Sequence, residues 1–429
     1  MRTTLSKSLR SIRSLLILLI PLLGYSYFFD ESFALWKKHF RNFAIQQGIE
    51  AQVVDTALRG LELDYKVLRL AAHQPEYSRP IWEYLDHAVS AERVTVGRSM
   101  AQKHQVLLQQ INQTYSIESQ YLLAIWGMES SFGYNAGHYS VVRSLASLAA
   151  RGHSERRAFW LKQLIAALQI IQQGDMSLHD LRGSWGGAIG HTQFMPTTFL
   201  DYAVDFDGDG KRDIQNSLAD ALASSANYLT LTGWHAALPW GEEVRIPDKF
   251  RWDRANPNNW RSVRYWRDVQ HIRPVQSEAF QVEAHTLASI YLPAGYRGPA
   301  FLVYRNFPVI LRYNNATAYA LAVGHLADRI AGAGALQALW PRHEPELSRV
   351  EKAELQERLS AIGYSTAGID GQIGSNTRAA LRRWQFDVGM PSDGYATFEQ
   401  LRLLRQQSEI TDSIHGDTGS PTPQTSKSR

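Results

Sequence analysis

Apolar residues recur with a helical period through most of the first half of the chain. The segments 61–70, 121–128, 159–171 and 218–231 each predict a helix, so residues from about 32 to 231 read as a mostly α-helical body. Between Gly233 and Tyr313 the pattern changes to Trp, Pro, Asn and Arg around short β-type runs. Residues 300–304 and 309–311 are predicted strands of a smaller lobe. Helical spacing returns over 318–330 and is stopped by Ala331-Gly332-Ala333-Gly334. Beyond a linker at 341–346, residues 347–404 predict a compact unit of two or three short helices, with turns at Gly363, Asp370-Gly371 and Asp393-Gly394. From Gln407 onward Ser, Thr, Pro, Gly and Asp dominate, and a disordered tail is expected over 407–429.

The N-terminus stands apart from this pattern. Arg2, Lys7, Arg10 and Arg13 precede an apolar run over 15–29, interrupted only by Pro21, Gly24 and Ser26, which is the layout of an export signal. The reading favours cleavage near residues 24–26. Retention of the run as an anchor is the alternative, and any membrane association would pass through 15–29. These four basic residues match the formal charge of +4, so the rest of the chain is near neutral. Its cations are dispersed rather than gathered in a stripe, and nucleic acid is not an expected partner. The chain has no cysteine, so an exported protein of this kind relies on its core and on bound ions, and a cysteine-linked lipid anchor is excluded. Twelve Trp and 19 Tyr suggest a ligand with flat apolar faces, such as a sugar chain, although packing accounts equally well for any single one.

Residues 117, 121, 125 and 128 form one inward stripe of a helix that ends at Glu129. A carboxylate at a helix C-terminus faces the negative end of the dipole, and Ile125, Trp126 and Met128 disfavour its charged form. Both effects raise its pKa, as a proton donor to a glycosidic oxygen requires. A solvated helix-end glutamate is the plainer alternative on spacing alone.

A second acidic feature lies at Asp205-Phe206-Asp207-Gly208-Asp209-Gly210-Lys211-Arg212-Asp213. Asp205, Asp207, Asp209 and Asp213 occupy positions 1, 3, 5 and 9 of an EF-hand loop, and Lys211 occupies position 7, which such loops use through a backbone carbonyl. Gly210 stands at the sharp turn. A structural Ca2+ is expected, weakly held or helped by Asp220, because Asn216 replaces the usual glutamate at position 12. No organic cofactor is expected. With a single such loop, a calcium-sensor role is not.

Met128-Glu129-Ser130-Ser131-Phe132-Gly133, followed by Gly186-Gly187-Ala188-Ile189-Gly190-His191-Thr192-Gln193-Phe194-Met195-Pro196, resembles the goose-lysozyme and lytic-transglycosylase pattern. The match is nearer to the lytic murein transglycosylase B family, running from about Phe33 to Ile330 and including Ser184-Trp185-Gly186-Gly187 and Arg312-Tyr313-Asn314. The resemblance implies a mainly α, lysozyme-like catalytic domain with a smaller strand-containing lobe. It implies Glu129 as the single acid/base. Ser184, Gln193 and Asn314 would bind or orient sugar N-acetyl groups and nearby water, and Arg156, Arg157 and Tyr319 would line the groove. Ala316 stands where the family often has Ser or Thr. The family's acidic loop beside the groove also supports calcium.

The C-terminal unit resembles a peptidoglycan-binding domain through Leu355-Gln356, Asp370-Gly371, Thr377-Arg378-Ala379-Ala380-Leu381, Trp384-Gln385 and Asp393-Gly394. Its Asp-Gly turns and Leu355, Leu359, Leu381 and Trp384 read as structural. The expected organisation is an export segment at 1–29, a catalytic domain at 30–340, a small three-helix peptidoglycan-binding domain at 347–406 and the tail. The expected partner is the glycan strand of peptidoglycan, in the periplasm. Cleavage of the MurNAc–GlcNAc bond with 1,6-anhydromuramyl ends is the leading reading. A muramidase and a non-catalytic wall-binding scaffold are the alternatives, and other cell-wall enzymes as partners are unknown from sequence.

Overall fold

The computed structural model describes residues 32–72 and 80–416. The expected export segment lies outside these residues. Among the described residues no helix is long and apolar enough to cross a membrane. The chain divides into two compact units, one formed by residues up to 76 with 129–228 and the other by 77–128 with 229–429.

The first unit is helical. Val141–Arg151 is buried along nearly its whole length, from Val141 to Ala150 with Arg143 excepted, and it packs against Arg157–Gln173. Ser140 begins the first of these by accepting the N–H of Arg143, and Gly174 ends the second at a φ of 83°. The helix expected over 61–70 starts later, at Tyr65–Ala72. Asp64 interrupts the pattern because its carboxylate accepts the N–H groups of Lys66 and Val67, which makes it an N-terminal cap. A two-residue pairing, β1 (Tyr139–Ser140) with β2 (Arg182–Gly183), joins the two halves of this unit's later segment.

The second unit carries the strands. β3 (Gly241–Arg245), β4 (Arg261–Ser262), β5 (Arg273–Pro274), β6 (Leu287–Tyr291) and β7 (Ala300–Val303) form an antiparallel sheet in the order β4-β6-β7-β3-β5. Val244, Ile290, Leu302 and Trp266 share its core, and Trp266 Nε1 donates to the Ala288 carbonyl at 2.9 Å. The strand expected at 309–311 is instead part of the helix Asn306–Tyr313. A short apolar run fits a buried helix face as well as a strand, and Pro308 suits a first turn, where no N–H is needed. The following helix, Thr317–Ile330, begins one residue before the expected span.

The C-terminal module has three helices, Arg349–Ala361, Ser375–Asp387 and Phe398–Gly416. Leu355, Leu359, Leu381 and Trp384 meet in its core together with Leu401 and Leu404. The last helix runs to Gly416, past the expected start of the tail at Gln407, because no Gly or Pro interrupts the sequence before that point. Trp36, Trp240, Trp266 and Trp384 are fully buried and Trp82, Trp126 and Trp160 nearly so, and packing accounts for seven of the twelve tryptophans that composition offered to a sugar ligand.

Candidate active site

Glu129 is the penultimate residue of the helix Ser119–Ser130 and is half-buried. Every residue from Tyr121 to Gly127 is buried, so this is a core helix rather than one with a single inward stripe. Trp126, 3 % exposed, stands edge-on to His104 with ring centroids 5.9 Å apart.

The chain then turns in an unusual way. Ser131, Phe132 and Gly133 have φ angles of 50°, 60° and 87°, three successive left-handed residues of which two carry a side chain. Left-handed Ser and Phe are costly and persist where surrounding contacts enforce them. Ser130 supplies such contacts. Its hydroxyl, 1 % exposed, donates to the His191 carbonyl at 2.6 Å and accepts the Gly133 N–H at 3.0 Å. Gly133 has no room for a side chain, since a Cβ would lie 2.5 Å from the His191 ring.

The expected binding residues of this unit gather on the same scaffold. Gln193 has a φ of 51°, and its amide nitrogen donates to the carbonyls of Ala136 at 2.9 Å and Gly190 at 2.8 Å. With its amide hydrogens engaged, its carbonyl oxygen is the atom offered to a ligand donor. Ser184 accepts the Ala188 N–H at 3.0 Å, which leaves its own proton to donate. The segment 129–137 is thus fastened onto 183–193, and Glu129, Ser184 and Gln193 are carried by one interlocked set of turns.

Arg156 is exposed and lies over the Trp160 ring, 4.5 Å from its centroid. Arg157 Nε donates to the Gly152 carbonyl at 2.8 Å, which ties it to the turn before its helix. Asn314 and Tyr319 belong to the second unit. Asn314 follows the helix Asn306–Tyr313 in extended backbone, whereas Tyr319 is only 3 % exposed. Tyr319 lies on the well-buried helix Thr317–Ile330.

The acidic loop brings together the carboxylates of Asp205, Asp207 and Asp209, whose oxygens lie within 4.8 Å of one another. The loop is pre-shaped. Asp205 accepts N–H groups from Gly208 and Gly210 at 2.8 and 2.9 Å, and Lys211 enters through its backbone, its N–H donating to Asp209. Asp213 is not one of the three clustered carboxylates and accepts the N–H groups of Gln215 and Asn216. Asp220 is fully buried and accepts N–H groups from Phe206, Asp207 and Asp213, so it clasps the loop rather than offering itself to an ion. Burial pushes its carboxyl upward despite these donors.

Two supporting features escaped the sequence. Arg212, inside the loop, forms an ion pair with Asp175 at 2.6 Å and fastens the loop to the end of the Arg157–Gln173 helix. His191 donates its backbone N–H to the Ile214 carbonyl at 3.1 Å, so one residue touches both the acidic loop and, through Ser130, the turn after Glu129. Backbone bonds of this kind leave no trace in residue type.

A family model described as a transglycosylase SLT domain matches residues 32–328. The chain belongs to the SLT transglycosylase family. A second model, a putative peptidoglycan binding domain, matches 349–404. Membrane-bound lytic murein transglycosylase B of Escherichia coli is 25% identical over 288 residues, covering 66% of this chain and 76% of that protein. The crystal structure of SltB3 from Pseudomonas aeruginosa in complex with NAG-anhNAM-pentapeptide is 45% identical, with a TM-score of 0.83 over 87% of this chain and 100% of that one. Escherichia coli lytic transglycosylase Slt35 in complex with calcium, at 24% identity and a TM-score of 0.58 over 69% of this chain and 92% of that one, shares the fold. The SLT member described here is accordingly a lytic transglycosylase, an enzyme with a mainly helical, lysozyme-like fold and a helical peptidoglycan-binding domain.

Proposed function

We propose that this enzyme cleaves the MurNAc–GlcNAc β-1,4 bond of peptidoglycan and leaves 1,6-anhydromuramyl ends, with Glu129 as the single acid and base. The observation that carries this reading is the position of Glu129: a half-buried carboxylic acid at the C-terminal end of a core helix, held by a strained turn. Such an environment favours the protonated form needed to donate to the leaving oxygen. Strain of this kind gathers where a side chain must be held in one place.

In the first step the Glu129 carboxyl gives its proton to the glycosidic oxygen while the bond from that oxygen to muramyl carbon 1 breaks. The substrate's own acetamido group stabilises the positive centre. Carboxylate Glu129 then takes the proton of the muramyl carbon-6 hydroxyl, whose oxygen bonds to carbon 1. The proton count closes, Glu129 is regenerated and no water is consumed. A paired-carboxylate glycosidase would need a second acid at a set distance. The neighbouring loop is a poor source of one, because Asp205, Asp207 and Asp209 converge on one another, as a cation site would have them. Gln193 Oε1 and the Ser184 hydroxyl supply an acceptor and a donor suited to the two ends of an acetamido group. Asn314 and the Arg156 and Arg157 side chains would make further sugar contacts.

Three convergent carboxylates with a pre-bent backbone suit a hard cation of the size of Ca2+. Asp205, Asp207 and Asp209, with the Lys211 carbonyl, would hold the ion, whose charge would rigidify the loop. The related Slt35 crystallised with calcium supports this choice. The apolar segment at 15–29 would export the enzyme to the periplasm, where its substrate lies.

Digestion of purified sacculi followed by mass analysis tests the reading. Wild type should give muropeptides with anhydro ends and Glu129→Gln none. Reducing ends from wild type would make the enzyme a muramidase, and no products from either protein would make it a scaffold.

A further inference from the structure

The turn that follows Glu129 carries a side chain that the chemistry above does not use. Tyr134 is 83 % exposed, more open than any other described aromatic residue, with Tyr65 next at 68 %. A lone apolar side chain on a surface is ordinary and by itself asks for no explanation. The backbone beneath Tyr134 and the treatment of the aromatic rings around it set this one apart.

The backbone is fixed on both sides. Ser131, Phe132 and Gly133 lead into Tyr134 in left-handed conformation, and Phe132 is turned inward, 6 % exposed. The Tyr134 N–H donates to the Ser131 carbonyl at 3.4 Å, and the Asn135 N–H returns to the Ser130 carbonyl at 2.8 Å, which closes the chain back onto the residue beside Glu129. Further on, the Ala136 carbonyl accepts the Gln193 side-chain amide at 2.9 Å. Gly137 is pressed against Gly183 so closely that a Cβ would lie 2.2 Å from its carbonyl. The hydrogen bonds that Tyr134 and Asn135 contribute to this turn come from the main chain, so a serine or an asparagine at 134 would serve the fold as well and spare an apolar ring its exposure to water.

Other aromatic rings of this unit are covered. His138 stacks on Tyr139 and the Lys66 ammonium lies over the same ring, while the Arg156 guanidinium lies over Phe159 and Trp160. Tyr134 has no such cover. Among the described residues no aromatic ring or cation lies against it, and its hydroxyl has no hydrogen-bond partner.

A flat ring with a polar tip, held by a rigid backbone, binds at little entropic cost because few torsions remain to be fixed. A pyranose has the complementary form, an apolar face of C–H groups with a rim of hydroxyls. We propose that Tyr134 is a substrate-binding residue whose ring stacks on a sugar of the glycan strand beside the bond that Glu129 acts on, with its hydroxyl left to the sugar's rim. This deepens the function proposed above and rests on it. The same turn would then carry the acid and the surface that presents the strand to it, and Tyr134 itself would move no proton.

Calorimetric titration of soluble glycan strands into the full chain carrying Glu129→Gln tests this. Adding Tyr134→Ala should weaken binding by about 5- to 20-fold and Tyr134→Leu nearly as much, while Tyr134→Phe and Tyr134→Trp should stay within about twofold of the parent. The loss should be the same on strands with and without peptide stems, because the contact is to the sugar. Tyr134 is exposed, so its variants should keep the parent melting temperature. Unchanged binding by Tyr134→Ala, a loss in Tyr134→Phe as large as in Tyr134→Ala, or a loss confined to peptide-bearing strands would each overturn the proposal. Wild type and the single variant Tyr134→Ala are assayed in parallel on the same strands, where the variant should show a raised KM. Cleavage by both with the same KM would remove Tyr134 from the site and leave the proposed function standing, whereas no cleavage by wild type would remove the function and this inference with it.

Discussion

Ser130 is a small residue with two jobs at the end of the Glu129 helix: it closes the left-handed turn onto Gly133 and ties that turn to His191. Ser130→Ala should leave buried partners unsatisfied, lowering stability by about 1–3 kcal/mol, and should also lower activity. A melting curve and a sacculus-digestion rate check both effects; unchanged values would remove the serine from the site. Glu129, Ser184 and Gln193 are singled out at this scale by the family's motifs, and their proposed roles rest on that resemblance. The roles of Ser130 and His191 were not legible in the sequence, because they rest on a buried hydroxyl and a backbone carbonyl that many residue patterns could supply. The burial of Tyr319 was not legible either, since a tyrosine in a groove motif reads the same whether its ring is open or buried.

At the scale of elements, long apolar segments announced themselves and short ones did not. The 159–171 and 218–231 patterns lie inside helices of the expected place and type, while 309–311 became helix and Asp64 split the 61–70 pattern. At Asp64 a local contact decided what periodicity left open, and at 309–311 the run was too short for periodicity to decide. The acidic loop was visible as spacing, but Asp220 and Arg212, which shape it, act from positions that no loop consensus includes. Calcium added to chelated protein should raise the melting temperature, with a stabilisation that reaches about 2.7 kcal/mol at a hundredfold excess over Kd. Asp207→Ala should abolish the rise; a rise that persists in this variant would place the ion elsewhere.

The Thr317–Ile330 helix carries a further test. Asp328 accepts the Trp240 Nε1–H at 2.8 Å, and burial raises its carboxyl to about 7. Its unfolded value is about 3.9. The folded state therefore holds the proton more tightly, and this group's contribution to stability is present below about pH 4 and lost as pH rises to about 7. Asp328→Asn should raise the melting temperature more at pH 8 than at pH 5. The opposite order would show that the carboxylate is stabilising as an anion.

For the whole molecule, the catalytic body and the wall-binding module divide the work. The module is latched by Arg297 and Asp393 to the sheet lobe of the second unit, so it is a fixed attachment there rather than a loosely strung domain. Deletion of 347–429 should reduce pelleting with sacculi while sparing cleavage of short soluble glycans, because a second binding site raises the effective concentration on an insoluble substrate. Undiminished pelleting would assign wall binding to the catalytic body.

The claim on which the account rests is that Glu129 works alone and that the attacking oxygen comes from the sugar itself. Digestion of glycan strands in 18O-labelled water, followed by mass analysis of the new muramyl ends, reads that oxygen's origin. The account predicts anhydro ends lighter by one water than the hydrolytic product and free of 18O. Reducing ends carrying 18O would show that water attacks, and would contradict it.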